Sequence, residues 1–144
     1  MGKKRIITKK DESSGQDGKE HSSGKSSKKK ITSGSLYIQS TYNNTLITLS
    51  DQKGNVVLWS TSGSIGFKGA KKGTPFASSK VVDLLLEKAK NLGLNDVDVI
   101  VRGVGAGRES AIRAVAAKGI GINSIQDRTP IPHNGPKPRK PRRV

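Results

Sequence analysis

The residues of this chain best suited to chemistry are glycines and cations, and they are concentrated in two loops. The first loop, residues 63–75, reads GSIGFKGAKKGTP and carries Lys68, Lys71 and Lys72 without any acidic residue. Glycine has no Cβ, so backbone N–H groups in such a loop can approach a partner closely. The lysines add positive charge to the same surface. This combination predicts a loop that lies against an anionic, closely fitting partner.

The second loop, residues 103–107, reads GVGAG and is followed by Arg108, Glu109 and Ser110. It follows a strand-like run and opens a helix-like run, where backbone amides and the helix dipole favour an anion. The dinucleotide fingerprint is incomplete because Arg108 occupies its third glycine position, and no G-x-x-x-x-G-K-[ST] is present. The arginine fork matches phosphate oxygens, which favours an RNA backbone phosphate. A tight strand-to-helix turn without ligand remains the alternative.

Composition limits the class of partner. The chain has 144 residues, which suggests one domain, and 27 Lys+Arg against 11 Asp+Glu give it a net charge of +16. Such a charge calls for a polyanion, either nucleic acid or an anionic membrane surface. Cysteine is absent and the two histidines, His21 and His133, are far apart in sequence, so we expect no metal site and no cofactor. No apolar run approaches the roughly 18 residues of a membrane span, and a cytoplasmic protein is expected.

The elements that must position the two loops follow from hydrophobic periodicity. Alternating apolar residues predict strands at 36–40, 45–50, 56–60, 97–102 and 120–126. One amphipathic helix is expected from Thr74 and Pro75 to Gly93, and a second at 108–118. Short connections predict an antiparallel meander at one end, and the later strand–helix alternation predicts parallel right-handed crossovers. The fold class is therefore α/β, a mixed five-stranded sheet with two main helices.

The ends of the chain differ from its middle. Residues 1–30 hold ten basic and four acidic residues with little apolar content, which predicts a disordered basic extension. Residues 31–127 read as the globular domain. Residues 128–144 contain five of the six prolines and predict an extended basic tail. From Thr129 onward, the cations of this tail are Lys137, Arg139, Lys140, Arg142 and Arg143.

Two other functions would each need features for which the sequence gives little support. A phosphate-ester enzyme would need carboxylates at strand ends to hold two metals, and Asp51, Asp98 and Asp127 are the candidates; no set of nucleophile, base and orienting residue can be assembled. A membrane-surface protein would need a basic amphipathic helix, which the sequence lacks. Phe67, inside the first loop, is expected to pack in the core rather than to stack on a base.

Four motifs carry a resemblance to a known family. They are YNNT at 42–45, GFKGAKKGTPFA at 66–77, RGVGAGRES at 102–110 and DRTPIPHNG at 127–135, followed by the basic end. Together they closely resemble the universal small-subunit ribosomal protein eleven family in its bacterial form. The resemblance covers about residues 31–144.

The resemblance implies a ribonuclease-H-like fold without nuclease activity, on the platform of the small ribosomal subunit. There it implies binding and bridging of ribosomal RNA helices, with the tail near the mRNA exit and the Shine–Dalgarno cleft. Small-subunit proteins seven and eighteen are the implied neighbours, with no membrane and no small-molecule substrate. Val104 and Gly73 depart from the proline and serine usual in the family. The positions implied in RNA binding are Asn43, Asn44, Lys68, Lys71, Lys72, Arg108, Ser110, His133, Asn134, Lys137, Arg139, Lys140, Arg142 and Arg143.

Overall fold

A computed structural model describes residues 30–141 of the chain. All but the last residue of the extension predicted at 1–30 lies outside this range. Arg142 and Arg143 lie outside it as well.

The described chain forms one mixed sheet and two main helices. The strands are β1 (Ser33–Ser40), β2 (Thr45–Asp51), β3 (Val56–Thr61), β4 (Asp96–Arg102) and β5 (Gly121–Asp127), and the helices are α1 (Pro75–Lys90) and α2 (Gly107–Ala117). The strand order is β3-β2-β1-β4-β5. β1, β2 and β3 are antiparallel neighbours, whereas β4 lies parallel to both β1 and β5. The predicted fold class is confirmed, with the antiparallel part at one end and the parallel part at the other.

Both helices cover the same face of the sheet. Alternate strand residues, such as Leu36 and Ile38 of β1 and Val99 of β4, are buried and form one apolar cluster with Val82 of α1 and Val115 of α2. Strand side chains alternate between the two faces, so the residues between them point to the opposite face, which no helix of residues 30–141 covers. Among the described residues, no helix is both long and apolar enough to cross a membrane.

The ends of α1 follow the signals in the sequence. The hydroxyl of Thr74 accepts a hydrogen bond from the Ala77 amide (3.3 Å), and Pro75 stands at the first helical position, where its missing N–H costs little. The helix ends at Lys90, and Gly93 adopts φ +89°, a conformation that glycine adopts without steric cost. At the end of α2, the Lys118 Nζ lies 3.2 Å from Asp83 of α1, which ties the two helices together.

Two details differ from the sequence prediction. The basic loop contains a short 3-10 helix, Gly69–Gly73, instead of being irregular throughout. The prediction that Phe67 packs in the core is wrong, because Phe67 is only half-buried and does not belong to the apolar cluster. Its ring instead meets Phe76 edge-on, with 6.1 Å between the ring centroids, and Phe76 is 63% exposed.

Candidate nucleic-acid interface

Three loops meet at one end of the sheet and pack on each other through glycines. A Cβ at Gly73 would collide with the Tyr42 carbonyl oxygen, and one at Gly105 with that of Thr41. Gly103 combines a similar collision, with the Ser40 carbonyl, with φ +99°. The backbones are therefore closer than any side chain permits. We call this surface, made of residues 41–44, 66–74 and 103–107, the loop end.

The loop end is basic. Lys68 and Lys71 are exposed and Lys72 is half-buried. Among the described residues, none of these three lysines has an ion-pair partner. Their ammonium groups are therefore available to an outside anion.

The β1–β2 turn lies between the two glycine loops. Its shape is set by Thr41, whose hydroxyl accepts from the Asn44 amide and donates to the Asn44 carbonyl, both at 3.1 Å. Asn43 is exposed and Asn44 is half-buried. The turn that carries the two asparagines thus lies against the basic loop. At this place the backbone of Tyr42 and Asn43 is in contact with Gly73.

Buried polar atoms without partners accumulate at the same place. Within residues 30–141, four buried side-chain oxygens have no hydrogen-bond partner, and all four belong to the turn or to residues beside it. Buried polar groups are nearly always paired, so such a cluster needs an explanation such as bound water or an interacting partner. The four residues are Ser40, Asn44, Thr45 and Ser62.

Arg108 is engaged inside the protein. Its guanidinium donates to the Gly103 carbonyl, to the Asp127 carboxylate and, at 3.3 Å, to the Thr129 hydroxyl. The Gly103 amide also donates to the Thr129 hydroxyl, at 3.2 Å. Arg108 therefore joins the second glycine loop, the end of β5 and the first residues of the tail.

Ser110 also turns inward. Its hydroxyl lies 2.5 Å from that of Ser78 and donates to the Gly107 carbonyl at 3.1 Å. It thus connects α2 to α1 at the base of the loop end. No described side chain caps the start of α2, and Glu109 in its first turn pairs with Arg113 at 3.1 Å.

The tail begins at the loop end and carries the remaining predicted site residues. Residues 128–141 form no helix or strand. Asn134 adopts φ +54°, which marks a local turn before Gly135. The tail residues named from sequence and described here are all exposed, namely His133, Asn134, Lys137, Arg139 and Lys140.

Sequence reasoning missed the partners of Arg108. Asp127 and Thr129 were considered only as an acid and as part of a motif. The signal was present, because an Asp two residues before a Thr favours a local turn. Asp127 accepts from the Thr129 amide at 2.9 Å and from its hydroxyl at 2.6 Å.

The stability of this connection should depend on pH. Hydrogen bonds from Thr129, and then from Arg108, lower the pKa of Asp127 from 3.8 to about 2. A carboxylate with a depressed folded pKa stabilises the fold above its unfolded pKa, and that stabilisation disappears as pH falls through the folded value. We expect Asp127→Asn to remove part of the loss of stability between pH 4 and 2. Urea unfolding at several pH values would measure this, and parallel curves for both proteins would contradict it.

The carboxylates proposed for the enzyme alternative are not brought together. Asp51 ends β2, while Asp98 of β4 accepts from the Ser124 hydroxyl at 2.7 Å and Asp127 holds Arg108. Among the described residues, no group of three or more acidic or histidine side chains is placed to hold a metal ion.

Comparisons with known proteins show which family the chain resembles. The family described as ribosomal protein S11 matches residues 34–143. The small ribosomal subunit protein uS11c of Cyanidioschyzon merolae is 58% identical over 120 residues, which cover 83% of this chain and 99% of that protein. The uS11 proteins of Treponema pallidum and Borreliella burgdorferi are 52% and 51% identical over 117 and 122 residues. These cover 81% and 85% of this chain, and 93% and 94% of those proteins.

The mixed sheet, the basic loop end and these relatives define a protein of the small ribosomal subunit. Its place is the ribosome, in the cytoplasm. More particularly, the chain belongs to the ribosomal protein S11 family. The resemblance found from the four sequence motifs is thereby confirmed.

Proposed function

We propose that the chain is a non-enzymatic structural component of the small subunit that binds ribosomal RNA through the loop end and the tail. The observation that carries this proposal is the convergence of two glycine loops and the asparagine turn on one surface, whose lysines have no ion-pair partner within residues 30–141. Surfaces that combine tight backbone packing with free cations fit a rigid polyanion such as folded RNA.

In this mechanism the cations supply most of the affinity, and the glycine loops supply the shape complementarity. Lys68, Lys71, Lys72 and the tail cations neutralise phosphates and release counterions, which makes binding salt-dependent. The glycine loops let backbone amides approach sugar and phosphate oxygens, which positions the protein without reading base sequence. Asn43 offers a donor and an acceptor to 2′-hydroxyls, the groups that distinguish RNA from DNA, whereas Asn44, whose Oδ1 is buried, offers its side-chain N–H groups.

The predicted site residues divide into two roles within this proposal. The lysines, the asparagines, His133, Asn134 and the tail cations Lys137 to Arg143 contact RNA. Arg108 and Ser110 do not contact RNA but position the residues that do, because their polar groups already bond within the protein. Arg108 holds the tail and the second loop, and Ser110 holds the two helices beneath them.

The finer location in the subunit is part of the proposal and follows the family resemblance. It comprises the platform, the bridging of ribosomal RNA helices, the nearby mRNA exit with the Shine–Dalgarno cleft, and contacts with small-subunit proteins seven and eighteen. The geometry is compatible with bridging, because the basic loop and the tail extend from one end of the sheet and can reach separate RNA segments. The proposed activity needs no cofactor, small-molecule substrate or membrane.

The proposal is tested by a salt titration of the full chain against purified small-subunit ribosomal RNA and against an unrelated structured RNA. Binding to the ribosomal RNA should persist at salt concentrations at which the control RNA is released, because shape complementarity adds to the counterion term. Equal loss on both RNAs would overturn specific recognition by the chain itself.

A further inference from the structure

The face of the sheet opposite the helices carries a row of side chains that crosses all five strands. Residues paired in register lie side by side on the same face, and the pairs Trp59–Thr48, Thr48–Tyr37, Tyr37–Ile100 and Ile100–Gln126 are continuous. Two aromatic rings belong to this row. Trp59 is 65% exposed and Tyr37 is 41% exposed.

The charges on this open face are separated along the strands. Asp96 and Asp98 lie at one end, and Arg102 lies at the other, on the side of the loop end. Arg128 continues from β5 at that same end, and its guanidinium donates twice to Gln126, at 2.8 and 3.1 Å. A polyanionic backbone would therefore follow the arginine side of the face, away from the two carboxylates.

The composition of the row favours nucleic acid bases over a protein partner. The buried centre of a protein interface is mainly apolar, whereas this row places Thr48 between the two rings and ends in Gln126 beyond Ile100. The hydroxyl of Thr48 and the side-chain amide of Gln126 can bond to base edges. Neighbouring strands are about 4.8 Å apart, so roughly 10 Å separates the backbones that carry Tyr37 and Trp59. At that spacing each ring can stack on a different base, and the two rings do not share one.

From the aromatic row and the adjacent arginines we propose that the open face is a second RNA surface, which stacks unpaired bases of a single-stranded segment on Trp59 and Tyr37. Aromatic platforms on sheets bind single strands in this way, because every base has a face that can stack. The surface goes beyond the loop end, which takes folded RNA through phosphates. The two surfaces meet at Arg102 and Arg128.

The first test uses Trp59 as its own probe, since it is the only tryptophan of the chain. Titrating the full chain with a uridine dodecamer should quench its fluorescence to saturation, because a stacked base contacts the indole directly. A double-stranded RNA of the same length should leave the fluorescence unchanged. Binding of the dodecamer, followed by anisotropy of a labelled strand, without any quenching would overturn the proposal.

The second test separates stacking from simple apolar contact. Trp59→Phe should keep the dodecamer affinity within about twofold, and Trp59→Leu should weaken it about tenfold, since stacking on an aromatic ring is lost. Phe76→Leu is the matched control, because it removes a ring of similar exposure on the helix side and should change little. Unchanged binding by Trp59→Leu, or equal loss by Phe76→Leu, would contradict the assignment to the open face.

Failure of this inference can be told apart from failure of the proposed function. Changing Lys71 and Lys72 to Glu should weaken overall affinity for RNA but leave the full quench of Trp59 at saturation. If quenching fails while the ribosomal RNA titration succeeds, only the open face is wrongly assigned. If the titration fails while quenching succeeds, the proposal for the loop end is overturned instead.

Discussion

Reversing the charge of Lys71 and Lys72 to Glu should weaken binding to small-subunit ribosomal RNA by about a hundredfold at physiological salt. Two phosphate contacts are lost and two repelling charges replace them, at a surface where neither lysine has a described ion-pair partner. The slope of log affinity against log salt should also fall by about two, since each phosphate contact contributes about one. Filter binding over a series of salt concentrations measures both quantities.

A variant with the same change in net charge elsewhere on the surface tests whether the effect is specific to the loop end. Lys53→Glu with Lys88→Glu changes the net charge by the same amount, and both residues are exposed, in the β2–β3 turn and on α1. That variant should lose far less affinity, because only long-range attraction is reduced. Circular dichroism should show native secondary structure in both. Equal losses in the two variants would mean that the chain acts as a generic polycation.

The fold could be predicted from the sequence because its local signals agree with one another. Alternation in β1 and β2, the cap formed by Thr74 with Pro75, and the stop at Gly93 each act within a few residues. Boundaries moved by one to three residues, as with β1, which begins at Ser33 because it pairs with β4 from its first residue. That pairing is not a local property, so no pattern within residues 33–35 indicated it.

The candidate site was only half predictable for the same reason. The lysines and glycines of the first loop are recognisable by type and spacing, and Gly73 of this loop does meet the asparagine turn. The role of Arg108 depends on Asp127, which is 19 residues away and arrives through β5. Likewise, the hydroxyls of Ser40 and Thr45, which have no hydrogen-bond partner among the described residues, lie beside Gly107, which is distant in sequence. Residue type can indicate affinity for phosphate, but only tertiary packing decides whether a guanidinium is free to meet one.

Arg108 therefore provides the second large prediction, which separates direct contact with RNA from positioning of the tail. Arg108→Ala should lower affinity for ribosomal RNA about tenfold, since it removes the guanidinium that joins Gly103, Asp127 and Thr129 and so loosens the start of the tail. The measurement is a double-mutant cycle in the full chain, in which Lys137, Arg139 and Lys140 are changed to Gln. Arg108→Lys should restore only part of the affinity, because one ammonium group cannot reproduce the planar fork that meets three partners.

The cycle has opposite outcomes for the two roles. If Arg108 positions the tail, its removal matters little once the tail cations are neutral, and the coupling approaches about 1.4 kcal/mol, the equivalent of the tenfold loss. If Arg108 binds a phosphate itself, the two losses add and the coupling is near zero. Urea unfolding of the same variants keeps the test independent of stability, since Arg108 and Asp127 are both partly exposed and such pairs contribute modestly. Additive losses would mean that Arg108 contacts RNA directly, as its residue type first suggested.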